Sequence, residues 1–67
     1  MKLHYYRETD SLYIDLTEKP SSDSREVAPG VVLDFDHEGH IVGINIDNAS
    51  NVVDLSRLEV DELPVTG

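Results

Sequence analysis

The residues with the clearest chemical potential lie between Asp34 and His40, where carboxylates alternate with imidazoles. A zinc or nickel site needs three or four such groups that converge on one point and are held by further hydrogen bonds. His37 and His40 flank Glu38 and Gly39 at the tip of a turn, from which side chains point in divergent directions. We therefore expect solvated turn residues and no metal ligand. The groups considered are His4, His37, His40, Asp34, Asp36 and Glu38.

A second candidate is the carboxylate pair Asp34 and Asp36, which project from the same face of a strand because they are two residues apart. Paired carboxylates carry out acid–base chemistry when burial raises the pKa of one of them, and this requires a pocket. A chain of this size has little material to build one, so we expect Asp36 to close the turn by accepting backbone N–H bonds. No catalytic residue, metal or cofactor is predicted, and the protein is not expected to be an enzyme.

The overall charge narrows the classes of partner. The chain has 67 residues, 14 acidic and 5 basic, with a net charge of −9. This field repels nucleic-acid phosphates and anionic membranes, and it steers a basic protein toward the surface. Without cysteine there is no disulfide framework or thiolate metal site. No segment approaches the ~18 apolar residues of a membrane span, and residues 1–5 lack a signal-peptide core. We expect a single cytoplasmic domain over residues 1–67.

The segment Gly30–Ser50 predicts a β-hairpin, because two runs of alternating apolar residues flank Asp36-His37-Glu38-Gly39. A four-residue loop pairs Leu33 with Val42 and Val31 with Ile44, and it leaves Gly43 opposite Val32. A three-residue loop would pair Asp34 with Val42 and split the core, so the four-residue loop is favoured. Gly39 is expected to supply the left-handed residue that ends this loop.

The rest of the pattern predicts an α+β, mainly β fold: a small antiparallel sheet of about five strands, formed by two hairpins plus a short strand. A short C-terminal helix or 3₁₀ turn is expected within Asn51–Leu58, with Asp47, Asn48 or Ser50 as its N-cap. The tail 59–67 is expected to be flexible unless Val60, Leu63 or Val65 finds a groove. The first hairpin carries Leu3, Tyr5, Leu12, Ile14 and Leu16 on one face, and Ser24–Ala28 forms the short strand before the turn Pro29-Gly30.

The second face of this predicted sheet has the composition of an interaction surface, because tyrosines and aliphatic residues are surrounded by acidic ones. It would contain Tyr6, Tyr13, Val32, Ile41 and Gly43, with Asp15, Asp34, Asn45 and Asp47 beside them. The alternative is ordinary half-exposed sheet surface. A second copy packed on an exposed face would enlarge the thin core, so a homodimer is a further expectation.

Four sequence blocks resemble those of a bacterial family of short uncharacterised proteins, the domain of unknown function 2283. The resemblance implies a small antiparallel sheet with a helical C-terminal element and implies no reaction. Members occur in settings that suggest toxin–antitoxin or regulatory pairs. The blocks are Glu8-x-Asp10-x-Leu12-Tyr13-Ile14-x-Leu16, Pro29-Gly30-Val31, Asp34-Phe35-Asp36-x-x-Gly39 and Val42-Gly43-Ile44-x-Ile46.

These observations favour a non-enzymatic protein-binding module, antitoxin-like or regulatory, which binds a basic protein or a second copy of itself. The surface predicted to carry this binding is formed by Tyr6, Tyr13, Asp15, Val32, Ile41 and Asp47. The alternative is a weak metal-binding protein or a carboxylate-dependent small enzyme that uses Asp34, Asp36, His37 and His40.

Overall fold

Five strands and one short helix follow the alternation of apolar residues in the sequence. The computed structural model describes residues 1–64, so Val65 and the end of the predicted tail lie outside the described residues. The elements are β1 (Lys2–Tyr6), β2 (Ser11–Asp15), β3 (Asp23–Ala28), β4 (Val31–Phe35), β5 (Ile41–Ile46) and α1 (Ala49–Val52). The strands form one antiparallel sheet in the order β1-β2-β5-β4-β3, which confirms the predicted fold class.

The pairing register assigns each strand residue to one of two faces, because directly opposed residues lie on the same side of a sheet. Apolar residues meet across four strands on what we call the apolar face: Leu3, Ile14, Ile44 and Leu33 in one row, and Tyr5, Leu12, Ile46 and Val31 in the next. The other side, which we call the polar face, carries the rows Lys2, Asp15, Gly43, Asp34, Ser24 and His4, Tyr13, Asn45, Val32, Glu26. One sheet thus separates an apolar side from a mostly polar one.

The β4–β5 hairpin corrects the predicted loop and register. The Asp36 N–H donates to the His40 carbonyl at 2.9 Å, so three residues rather than four make the connection. That loop alone would place Asp34 opposite Val42. A β-bulge shifts the pairing by one residue, so Asp34 lies opposite Gly43 and Leu33 opposite Ile44. The predicted faces of β4, and of β5 from Gly43 onward, are therefore kept. The predicted pairs of Leu33 with Val42, of Val31 with Ile44 and of Val32 with Gly43 are wrong.

Helix α1 begins at Ala49, earlier than the sequence predicts, and its N-terminus is held by a residue from another part of the chain. Asn48 is the N-cap residue, but it adopts a left-handed conformation with φ 52° and its side chain makes no capping bond. Asp10, in the turn between β1 and β2, accepts bonds from the Ser50 hydroxyl at 2.7 Å and the Ser50 N–H at 3.1 Å. The Asp10 carbonyl also accepts the Ala49 N–H at 2.8 Å. The helix is thereby fixed to the first hairpin.

The core lies between the apolar face and α1. Leu12, Ile46 and Ala49 are buried, with Ile14, Ile44 and Val53 packed against them. The following residues, up to Leu63, line two shallow grooves on the same side, next to Leu3, Tyr5, Leu12 and Ile14. Leu58 and Val60 nevertheless stay largely exposed, so this segment covers the apolar face only in part. Among residues 1–64, no helix is long and apolar enough to cross a membrane.

Candidate functional site

The centre of the polar face is a hydrogen-bonded cluster that joins β2, β4 and β3. The Tyr13 hydroxyl donates to Asp34 Oδ2 at 2.7 Å, and the Ser24 hydroxyl donates to Asp34 Oδ1 at 2.6 Å. Both oxygens of this carboxylate therefore have a donor, which explains why an acidic residue occupies the middle of the sheet. Asp34 thus holds the Tyr13 hydroxyl in place on this face, and each of its two carboxylate oxygens already accepts a hydrogen bond.

Gly43 makes this cluster possible. It lies on β5 between Tyr13 and Asp34, and the Tyr13 side chain crosses the strand directly above its Cα atom. A Cβ atom built at Gly43 would lie 2.7 Å from the Tyr13 Cζ atom, closer than any normal contact, and closer still to the hydroxyl. No other residue type allows the phenol ring to pass over β5 in this position.

Tyr13 is the group on this face whose ionisation is most strongly altered. The hydrogen bond to Asp34, with burial and the negative charge of the same carboxylate, raises the pKa of Tyr13 to about 12. The neutral phenol is the form that can donate to Asp34. A raised pKa in the folded state means that its contribution to stability is complete below pH ~10, the unfolded value, and is lost as the pH rises toward the folded pKa.

We expect an ultraviolet absorbance titration to show one of the three tyrosines ionising at about pH 12. This late component should disappear in Tyr13→Phe. It should move toward the usual tyrosine range in Asp34→Asn, because the carboxylate that stabilises the neutral phenol is removed. Ionisation of Tyr13 in the usual tyrosine range, near pH ~10, would show that the Tyr13–Asp34 bond is absent in solution.

Acidic side chains surround this cluster. The polar face holds Asp15, Asp34 and Glu26 within its strands, and Asp47 directly follows β5. Asp47 Oδ1 accepts from the Asn45 amide at 3.0 Å and contacts the Ser11 hydroxyl at 3.5 Å, both on this face. Lys2 is the one lysine or arginine in these rows. The face is therefore negative around a tyrosine centre, and it extends toward the exposed Tyr6. The Tyr6 ring packs against the His4 ring in a tilted arrangement, with 4.3 Å between the ring centroids.

The structure separates one residue from the interaction surface predicted from the sequence. Ile41 is paired with Phe35, which shares its side of β4 with Val31 and Leu33. The reason is the bulge at Val42, which shifts the alternation of β5 at its beginning. Tyr13, Asp15 and Val32 share the polar face by register, and Tyr6 is paired with Ser11 at its edge. The surface is thus formed without Ile41.

The groups considered for metal or acid–base chemistry do not form one site. Asp34 belongs to the Tyr13 cluster, whereas Asp36 lies in the turn after β4. Asp36 Oδ1 accepts the Glu38 and His40 N–H groups, each at 2.9 Å, as predicted for a residue that closes the turn. The bond from His40 is the main cause of the lowered pKa of Asp36. Gly39 has φ 84°, the left-handed conformation expected of it.

A different set of three groups does come together in this turn. Single ligand atoms of Asp36, Glu38 and His40 all lie within 4.8 Å of one another. The His40 Nδ1 atom is 3.5 Å from Asp36 Oδ2, and the Lys19 ammonium lies 4.0 Å from the same oxygen. Glu38 and His40 are exposed, and the Asp36 carboxylate already accepts two backbone bonds. His37, named in the alternative hypothesis, is not among the three.

Comparison with protein families identifies a match over most of the chain. A family model described as "Protein of unknown function (DUF2283)" matches residues 2–50. This range contains all five strands and the beginning of α1, and it confirms the resemblance found in the sequence blocks. No curated protein and no solved structure matches the chain.

Proposed function

The chain belongs to the DUF2283 family, and we propose that it is a non-enzymatic binding module of the bacterial cytoplasm whose polar face binds a basic protein. The observation that carries this proposal is the unequal coverage of the two faces. The segment after α1 lines grooves together with apolar-face residues, whereas the acidic groups around Tyr13 remain on the opposite side of the sheet. The chain thus partly covers its apolar side and leaves a negative, tyrosine-centred surface available.

The chemistry of this surface defines the partner. Asp15, Asp47 and Glu26 attract lysine and arginine side chains, and Tyr6 and Tyr13 offer ring surface against which their aliphatic stems or guanidinium groups can pack. Tyrosine at the centre and charge at the rim is the usual anatomy of a protein interface. A basic toxin or another basic regulatory target fits this description, and a nucleic acid does not.

A metal-dependent function is less well supported by the same geometry. The cluster of Asp36, Glu38 and His40 offers three ligand atoms, but a cation would compete with the two backbone N–H groups and the nearby Lys19 ammonium for the Asp36 carboxylate. Asp36 is explained by its role in the turn. The polar face therefore supports a function better than this cluster does.

The proposal is tested by reversing charge on one face at a time. Asp15→Lys combined with Asp47→Lys should weaken binding of the basic partner by at least about tenfold, because both side chains lie on the polar face. The matched control, Glu59→Lys with Asp61→Lys, changes the net charge equally on the segment that follows α1. The tagged proteins are used to capture partners from the native cell, and the affinity of a captured basic protein is then measured by isothermal titration calorimetry.

The two variants separate a specific surface from general attraction between opposite charges. Loss of the partner with the polar-face variant and its retention with the control supports the proposal. Equal weakening in both variants shows that net charge alone drives the association, and this contradicts a defined binding face. Capture of no stoichiometric basic protein by the unaltered chain contradicts the proposal directly. Circular dichroism of each variant checks that the sheet is retained.

A further inference from the structure

The two edges of the sheet differ in how well they are protected against pairing with another strand. The outer edge strand β3 carries the charged residues Asp23, Arg25 and Glu26, a bulge between Glu26 and Ala28, and Pro29 directly after it. Charges, bulges and proline are the devices that keep an edge strand from pairing. The edge strand β1 pairs with β2 over five consecutive residues without a bulge, and Lys2 is its one lysine, arginine or carboxylate residue.

The backbone groups at the free side of β1 can be assigned from the ladder. The Leu16 N–H donates to the Val42 carbonyl, so even-numbered residues of β2 turn their backbone groups toward β5. Odd-numbered residues of β2 then bond to β1, and their partners there are Lys2, His4 and Tyr6. The backbone N–H and C=O groups of Leu3 and Tyr5 consequently point away from the sheet. Within residues 1–64, no strand pairs with this side of β1.

From this difference we infer that β1 pairs with β1 of a second copy in an antiparallel, two-fold manner, with Leu3 of each copy opposite Tyr5 of the other. This register brings apolar side chains together on the apolar face and joins the two sheets into one of ten strands. It sets His4 opposite His4 and Lys2 opposite Tyr6 on the polar face. The interaction surface of the proposed function is extended by this pairing and is not covered by it.

Two properties favour a second copy as the partner of this edge: the absence of carboxylates in β1, and an assembly that ends at two copies. The chain carries a net charge of −9, which opposes self-association over most of its surface, but β1 contains no carboxylate. Two β1 strands therefore meet without acid–acid repulsion. Pairing uses the one regular edge of each copy and leaves the protected β3 strands at both ends, so association stops at two copies. Leu3 and Tyr5, 48% and 40% exposed in a single copy, gain apolar neighbours across the joint.

The inference is tested by mass and by cross-linking. Light scattering during size-exclusion chromatography should give twice the chain mass for the unaltered protein. Leu3→Pro removes an outward N–H group without breaking the β1–β2 ladder, and it should yield a folded monomer. Glu26→Pro, the matched change at the β3 edge, should remain dimeric. Because the chain has no cysteine, His4→Cys introduces a single thiol, and it should form an intermolecular disulfide under mild oxidation.

The cysteine test reports the register itself. Opposed residues of a non-hydrogen-bonded antiparallel pair have Cα atoms about 4.5 Å apart, which suits a disulfide. Tyr6→Cys, whose thiols would lie roughly four residues apart along the paired strands, should not cross-link. A monomeric mass for the unaltered chain, a dimer that persists in Leu3→Pro, or equal cross-linking of both cysteine variants would overturn the inference. This test is independent of the proposed function. The Asp15 and Asp47 variants change the affinity for a basic partner, whereas Leu3→Pro changes the mass of the particle in solution.

Discussion

Gly43→Ala is expected to lower the free energy of unfolding by about 1–3 kcal/mol, the usual cost of forcing extra volume into a packed site. The added methyl group would occupy the position of the Tyr13 ring, which is held over Gly43 by the hydrogen bond to Asp34. To relieve the clash, the ring has to move away and release Asp34. The change is measured by urea denaturation followed by circular dichroism.

The loss of unfolding free energy caused by Gly43→Ala should disappear or reverse when the Tyr13 ring is absent. In a Tyr13→Ala background nothing crosses β5 at this position, and alanine is then favoured over glycine in a strand by roughly 0.5–1 kcal/mol. Gly43→Ala should therefore be neutral or stabilising in that background. If alanine at residue 43 costs the same stability with and without Tyr13, the close passage of the ring over β5 is not what requires glycine.

Asp36→Ala is expected to lower the melting temperature by about 5–10 °C, since a 67-residue domain is sensitive to small losses of stability. The Asp36 carboxylate is largely buried and accepts the N–H groups of Glu38 and His40, which would lose this partner. Asp36→Asn keeps an acceptor oxygen and should lose less. Glu38→Ala removes an exposed side chain from the same turn and should leave the melting temperature nearly unchanged.

The contribution of Asp36 to the stability of the fold should decrease in acid. The backbone bond from His40 holds the pKa of Asp36 below its usual value, so the ionised carboxylate favours the folded state. This contribution is present above the unfolded pKa near ~4 and is lost as the pH falls through the lower folded pKa. Asp36→Asn should therefore show a weaker loss of stability in acid than the unaltered protein. Identical acid profiles would contradict the role given to this carboxylate.

The strands were predictable because their apolar residues alternate, and the two faces follow from the same pattern. The register of the β4–β5 hairpin could not be predicted from this alternation. The shorter loop and the bulge at Val42 each shift the pairing by one residue, and together they leave the apolar residues on the same face. A sequence that keeps Leu33 and Ile44 on the same face is compatible with either arrangement. The position of Ile41 was wrong for the same reason, because it lies on the loop side of the bulge.

The contacts of Asp10 and Asp34 lie beyond what local sequence can reveal. Asp10 binds Ser50, 40 residues away, and Asp34 binds Tyr13 from two strands away. Helix starts are usually predicted from a neighbouring cap residue, and here the cap comes from another hairpin. One signal for the Tyr13 cluster was present in the sequence: Gly43 interrupts a strand rich in β-branched residues, and such a glycine often marks a close approach of another group.

Amide chemical shifts of the labelled protein, mapped during titration with the captured basic partner, show whether the polar face is the binding surface. The largest changes are expected in the rows of Tyr13, Asp15 and Val32, and at Asp47. Small changes are expected at Leu58 and Val60, which lie beyond α1. Changes concentrated in the grooves beside Leu58 and Val60, with the row of Tyr13 unaffected, would contradict binding at the polar face.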